Sequence, residues 1–313
     1  VAEADSGKRY DGISRLKLFL ALSRTPHGLL DMCTPAFAAL LALGRFPPPA
    51  TVAIGLVTTF AGYTAVYALN DIVDYPSDRE RVRPAGSAAA PGDLDGAIVR
   101  QPLAAGLLSL REALAWAGFW CAVALAGAWR LNPVCVAIFA GGCLLEAVYC
   151  RLWRVSPYRA LVSGAVKSSG AVAAVFAVDP HPSAAFVAAL FGMLFFWEIG
   201  GQNIPNDLAD IDEDRRFRAR TLPIAFGPAR AVVIAAGALA ATLVLTVAVF
   251  QLSALPSGRL AALPALAGAA GLMAPPAAAL FRLREGRAAM VLFNRASFFP
   301  AALLAAALCG VAI

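Results

Sequence analysis

Nine stretches of this chain are apolar for long enough to cross a lipid bilayer, and this restricts the fold more than any motif does. They fall at about 22–44, 48–69, 109–129, 133–150, 158–178, 183–204, 228–253, 259–281 and 290–312, against the roughly 20 residues a spanning helix needs. Within lipid only helices and closed barrels satisfy every backbone N–H and C=O, and segments of this length are helical ones. The expected fold is therefore all-α: a polytopic membrane bundle of nine transmembrane helices. Its Ala, Gly and Leu content lets the helices approach closely around a central cavity. With 60% hydrophobic and 15% charged residues and a mean hydropathy of +0.70, no segment reads as a separate soluble domain. Residues 1–313 read as one integral-membrane domain, with related halves at about 16–150 and 158–313.

The net charge of +6 invites a nucleic-acid reading, but its distribution argues against one. With the N-terminus inside, 20 of the 26 Lys and Arg fall on the cytoplasmic side: Lys8, Arg9, Arg15 and Lys17 first, then 16 in or beside the even-numbered connections. The outer connections hold only Arg45, Arg130 and Arg259. This is the positive-inside pattern, so the basic excess orients the protein in its membrane. No removable signal peptide is expected, because the first 17 residues are polar and no small-residue cleavage site follows the first apolar run. Arg outnumbers Lys 23 to 3, which points to a GC-rich bacterial source and hence a plasma (inner) membrane. The six cysteines show no Cys-x-x-Cys pair and read as small packing residues.

The two long connections, 70–108 and 205–227, carry the same polar word: Asn70-Asp71-x-x-Asp74-x-x-x-Asp78 and Asn206-Asp207-x-x-Asp210-x-x-x-Asp214. On a helix the three carboxylates of each copy share one face. One copy alone would pass for a solvated loop. Two in matched register, both on the cytoplasmic side, read as a site. Six carboxylates need compensating cations, and Mg²⁺ takes oxygen ligands and bridges to phosphates. Asp71, Asp74, Asp78, Asp207, Asp210 and Asp214 are thus candidate metal ligands, with Asn70 and Asn206 beside them. Arg79, Arg81 and Arg83, Arg100, the run Arg215–Arg220, and Arg151 with Arg154 are candidate phosphate contacts. The stretch 84–92 reads as a flexible insertion.

Polar groups inside spans cost about 2.5–3.5 kcal/mol each and default to paired or functional roles. Arg24, His27 and Asp31 share a face of the first span and are candidates for acceptor binding, with Asp31 as a proton acceptor; an Arg24–Asp31 ion pair is the alternative. Tyr63 and Tyr67 lie on the helix face that ends at Asn70 and Asp74, where aromatic rings would stabilise a cation. Glu198 and Gln202 form a face leading to the second word. Glu146 and Lys167 are expected to neutralise each other across the fourth and fifth spans.

These features together resemble the UbiA superfamily of intramembrane prenyltransferases. The first word is followed by Gln101-Pro-Leu-Ala-Ala-Gly106-Leu-Leu-Ser109, similar to the family's Arg-Pro-Leu-x-x-Gly-x-x-Ser, with Gln in place of Arg and Arg100 adjacent. The second runs into Thr221-Leu-Pro223, Phe293-Asn294 opens the last span as in the family, and Arg24–Gly28 is similar to the opening of 4-hydroxybenzoate prenyltransferases. The resemblance implies a Mg²⁺-dependent enzyme using a polyprenyl diphosphate donor, with the six aspartates holding metal and diphosphate; the expected acceptor is a lipophilic or aromatic molecule. The resemblance also implies that Arg154 contacts the diphosphate; Lys167, if not spent on Glu146, is a further candidate substrate contact. Departures are about a dozen extra residues around 84–97, and Asp31 where the 4-hydroxybenzoate enzymes are apolar. The expected reaction is ionisation of the allylic C–O bond, followed by attack of the acceptor on the cation. A membrane terpene cyclase, in which the substrate attacks itself, is the rival reading. A transporter fits poorly, since the words lie at helix ends rather than at the membrane midplane.

Overall fold

The computed structural model describes residues 13–81 and 98–312. Lys8, Arg9, Arg83 and the insertion at 84–97 lie outside them. Among the described residues nine helices are long and apolar enough to cross a membrane: Thr25–Leu43, Pro49–Arg81, Leu110–Leu131, Pro133–Arg151, Arg159–Val178, Ala184–Ala209, Pro228–Leu252, Gly258–Leu283 and Gly286–Ala312. A short helix, Arg15–Leu22, precedes them. Apolar side chains crowd both the interior and the outer wall. Trp197, Phe37, Phe250 and Phe299 are fully buried, while Leu144, Val244 and Leu263 are about 67–70% exposed. Such a surface would aggregate in water and suits hydrocarbon, so the protein is an integral membrane protein. The first span packs against the fifth and the ninth, so the two halves interlock around one core.

The second span ends later than expected, and the sixth, ninth and first spans are broken internally. The second span does not stop at residue 69 but continues as helix through Arg81, so the first acidic word lies on the helix face that its spacing suits, within the span's own helix. Ser77 supports this stretch by donating its hydroxyl to Asp74 O at 2.8 Å, beside Pro76. The sixth span changes to a π turn at Glu198–Asn203 immediately before Pro205. Proline removes a backbone donor and clashes with the carbonyl four residues earlier, and a widened turn relieves both. Gly200 and Gly201 let this turn press on its neighbours: a Cβ on Gly200 would lie 2.7 Å from Ala235 O, and one on Gly201 2.9 Å from Ala296 Cβ. The ninth span breaks between Ala296 and Phe299, where Trp197 Nε1 donates to Ala296 O at 3.0 Å. The first span is likewise segmented, with Arg24 and Met32 flanking the piece Thr25–Asp31.

Candidate active site

Both acidic words end up at one end of the bundle, lining a single polar pocket of about 130 Å³. The first presents its carboxylates from one continuous helix. The second is split: Asp207 lies on the short helix Ile204–Ala209, Asp210 sits at the break, and Asp214 is on Ile211–Arg216. A single helix face for the second copy is therefore not what forms; the spacing survives, but the backbone bends at Asp210.

Four guanidinium groups hold the words in place. Arg24 reaches Asn70 Oδ1 at 2.8 Å and Asp71 Oδ1 at 3.2 Å. Its own backbone is left-handed (φ 43°), a conformation costing about 1–2 kcal/mol in a non-glycine residue, and this kink is where the chain turns into the first span. Arg81 lies 3.8 Å from Asp78 and 3.7 Å from Asp214, joining the two words, and stacks on Trp153 at 3.6 Å. Arg100 bonds Asp210 at 3.2 Å. Arg159 bonds Asp207 Oδ1 at 2.8 Å and lies over the Tyr149 ring. Asp214 also accepts from Trp153 Nε1 and Thr221 Oγ1; burial, with Asp207 close by, pushes its carboxyl up to about 6.

Six carboxylates against four guanidinium groups leave the pocket a formal excess of two negative charges. Such an excess disfavours a further anion and favours an added cation. Asp207 Oδ2 is buried with no hydrogen-bond partner, a lone carboxylate oxygen of the kind that hard divalent ions take. Among the described residues no three acidic, His or Cys side chains converge at ligating distance; the arginines occupy the carboxylates instead. The donor chemistry fits Mg²⁺.

Behind this pocket lies a second, mostly apolar cavity of about 480 Å³. Arg24, Asn70, Tyr149 and Asn206 line both spaces. The cavity extends along the second span from Asn70 to Thr51, roughly 28 Å at 1.5 Å per residue. Near its polar end Lys167 Nζ donates to Asp31 Oδ2 at 2.7 Å, and Tyr67 OH donates to the same oxygen at 2.5 Å. Tyr63 bonds Thr34 at 2.9 Å and stacks beside Tyr67. Buried His27 packs edge-on to Phe293, with Nε2 3.9 Å from Asp31 Oδ1.

Several expectations change. Lys167 pairs with Asp31, not with Glu146; Glu146 instead accepts from Asn70 Nδ2 at 2.6 Å. Arg24 turns to the first word rather than to Asp31. Arg79 is exposed and stacks over Tyr75, and Arg154 pairs with Glu80 at 2.6 Å, so neither lines the pocket. Gln202 faces the cavity but spends its amide on Phe293 O and Ser297, across the break in the last span. Arg159, Tyr149 and Trp153 were not singled out by sequence as site residues. Arg159 had a signal: Arg159, Ser163 and Lys167 recur every four residues, so the face bearing a costly intramembrane lysine leads back to it.

A sequence profile of the UbiA prenyltransferase family matches residues 32–304, and the chain belongs to that family. It is thus a prenyltransferase by family. Among curated proteins no sequence matches. The fold is similar to a UbiA homolog from Archaeoglobus fulgidus bound to DMAPP and Mg²⁺ (TM-score 0.68, 18% identity, covering 94% of this chain and 99% of that one). It is also similar to an apo UbiA homolog from Aeropyrum pernix K1 (0.69, 21%, 89% and 97%) and to a digeranylgeranylglyceryl phosphate synthase (0.62, 17%, 96% and 99%).

Proposed function

We propose that the protein transfers a prenyl group from a polyprenyl diphosphate to an external lipophilic acceptor, with Mg²⁺ as cofactor. The observation that carries this reading is the direct junction of a carboxylate- and arginine-lined pocket with a long apolar cavity. The one suits a diphosphate and the other a hydrocarbon tail. Solved relatives of the same fold bind DMAPP or GPP together with Mg²⁺, which supports the same donor class. Asp71, Asp74, Asp78, Asp207, Asp210 and Asp214 would hold the metal ions, with Asn70 and Asn206 beside them. When bound, the ions supply Lewis-acid neutralisation of the leaving diphosphate.

Arg24, Arg81, Arg100 and Arg159 then grip phosphate oxygens, and the tail extends along the second span. The Tyr63 and Tyr67 rings face the carbon that loses the diphosphate and offer π density to the developing cation. The surrounding bundle keeps water from that cation. Asp31 takes the proton released when the acceptor attacks. Lys167 holds Asp31 in place, and Glu198 stands by for the acceptor. The lysine and arginine bias supports a cytoplasmic mouth in a bacterial plasma membrane.

The test is incubation of purified protein with Mg²⁺, allylic diphosphates of several lengths and a host lipid extract, with products identified by mass spectrometry. A prenylated adduct formed only with the extract is the expected result. An olefin formed from donor alone would establish the cyclase instead, and absence of diphosphate release under all conditions would overturn both.

A further inference from the structure

The interior cluster around Lys167 bears on the acceptor, the half of the reaction the acidic words leave open. Asp31 is 1% exposed and Glu198 8%, and both line the apolar cavity. Each carboxylate is only half satisfied. Asp31 Oδ2 receives Lys167 and Tyr67, while Oδ1 is buried without a hydrogen-bond partner. Glu198 Oε1 receives Ser163 Oγ at 2.6 Å, while Oε2 is buried without one. Ser163 and Lys167 are one turn apart on the same helix face, so the two vacant oxygens flank one point on the cavity wall. A buried acceptor oxygen left unmatched costs on the order of 1–3 kcal/mol. Two of them beside one ammonium form a docking place for a molecule that donates hydrogen bonds.

Charge narrows the class further. Asp31, Glu146 and Glu198 place three carboxyl groups on the cavity wall, with the Lys167 ammonium and the buried His27 imidazole, its Nε2 3.9 Å from Asp31 Oδ1, among them. The lining guanidinium, Arg24, is engaged with Asn70 and Asp71. A carboxylate-bearing acceptor would meet a wall already rich in carboxyl groups, with no guanidinium turned to receive it.

Resting on the prenyl-transfer reading, we infer that the acceptor is an uncharged hydroxylated molecule, docked through its O–H groups on Asp31 Oδ1 and Glu198 Oε2, and not an aromatic carboxylate. Tyr67 lies one turn, about 6 Å, below Asp71, so a hydroxyl on Asp31 sits next to the reacting end of the donor. The prenyl C1–O bond breaks with its electron pair on the diphosphate. The acceptor oxygen, or a ring carbon conjugated to it, gives the pair that forms the new bond to C1. The proton it sheds passes to Asp31 Oδ1.

The experiment compares 4-hydroxybenzoate with its uncharged methyl ester, alongside hydroquinone and an aliphatic cyclic triol, by binding to the purified protein and by prenyl transfer. The ester and hydroquinone are expected to exceed the benzoate by about tenfold or more in kcat/KM; turnover of the triol instead would assign the aliphatic member of the class. Glu198→Gln keeps an oxygen for Ser163 and removes the charge. It should raise KM for the hydroxylated probes several-fold and narrow the discrimination against benzoate, and Asp31→Asn should lower kcat as well. Preference for the benzoate, equal effects of the variants on both probes, or failure of every hydroxylated probe to bind or react overturns the inference. The donor and lipid-extract assay separates this from failure of the prenyl-transfer reading, which would show no diphosphate release at all.

Discussion

The two acidic words share a spacing but not a backbone. The first rides on an unbroken helix whose end carries Asp71, Asp74 and Asp78 in one line. The second follows a π turn and a proline, and bends at Asp210. Their partners differ as well. Asp71 is held by Arg24, whose side chain is 26% exposed; Asp207 is held by Arg159, at 10%. One word is thus an extension of a rigid rod with an accessible counter-charge. The other is a hinged segment pinned from inside the bundle. On the proposed reading, in which an arginine exchanges a carboxylate for a phosphate, one rigid wall and one adjustable wall serve that exchange.

Removing the first carboxylate of each word tests this asymmetry with the largest effects. Asp71→Ala and Asp207→Ala should each cut diphosphate release by roughly 10³-fold, as losing a main electrostatic stabiliser does. They should separate in stability. Asp207→Ala strands a buried guanidinium and should lower stability by about 3–5 kcal/mol. Asp71→Ala, whose counter-charge Arg24 is more exposed and keeps its bond to Asn70, should cost less, about 1–3 kcal/mol. Thermal unfolding in detergent, measured beside diphosphate release, resolves the two. Equal destabilisation would remove the distinction between an outer and an inner counter-charge.

Pro205 probes the hinge itself. Pro205→Ala restores the missing backbone donor and lets the sixth span continue as α-helix through the π turn. Replacing π by α winding rotates every residue beyond it, and Asp207, Asp210 and Asp214 would leave register with the first word. A loss of roughly tenfold or more in kcat/KM is expected, by analogy with other small misplacements of a reacting group, together with a rise in melting temperature. Unchanged activity would mean that the second word tolerates a straight helix, and the contrast with the first would be incidental.

How far each wall was legible in the sequence follows from the same contrast. Span number, the helical fold and the joining of the two words come from length, hydropathy and repetition, which are local properties. The acidic spacing suits a helix face, but hydropathy ends the second span at 69, because polar residues after an apolar run carry no hydropathy signal for a helix that continues to Arg81. The π turn was missed because nothing in a periodic pattern distinguishes a widened turn from an ordinary one, although Gly200, Gly201 and Pro205 lay in view. Counter-charges were the least legible. Arg159 and Arg154 stand five residues apart, and only the packing of the fifth span decides which one points inward. Lys167 could equally have met Glu146 or Asp31, because partner choice inside a bundle is a matter of helix rotation.

The smallest effects sharpen that last point. Arg79 and Arg154 lie beside the words in sequence but face outward, on Tyr75 and Glu80. Arg154–Glu80 is a half-exposed pair of side chains 41% and 55% accessible, and such pairs contribute about 0–1 kcal/mol. Arg79→Ala and Arg154→Ala should therefore change donor KM by about twofold or less and melting temperature hardly at all, the scale on which surface pairs act. Arg100→Ala, which strips the 3.2 Å contact from Asp210 at the hinge, should raise donor KM by about five- to tenfold, as loss of one charge-assisted contact does. Steady-state titration of the allylic diphosphate at fixed Mg²⁺ measures all three variants. If Arg154→Ala matched Arg100→Ala, the 4–5 connection would have to swing inward on binding donor, and the adjustable wall would include that connection as well as the second word.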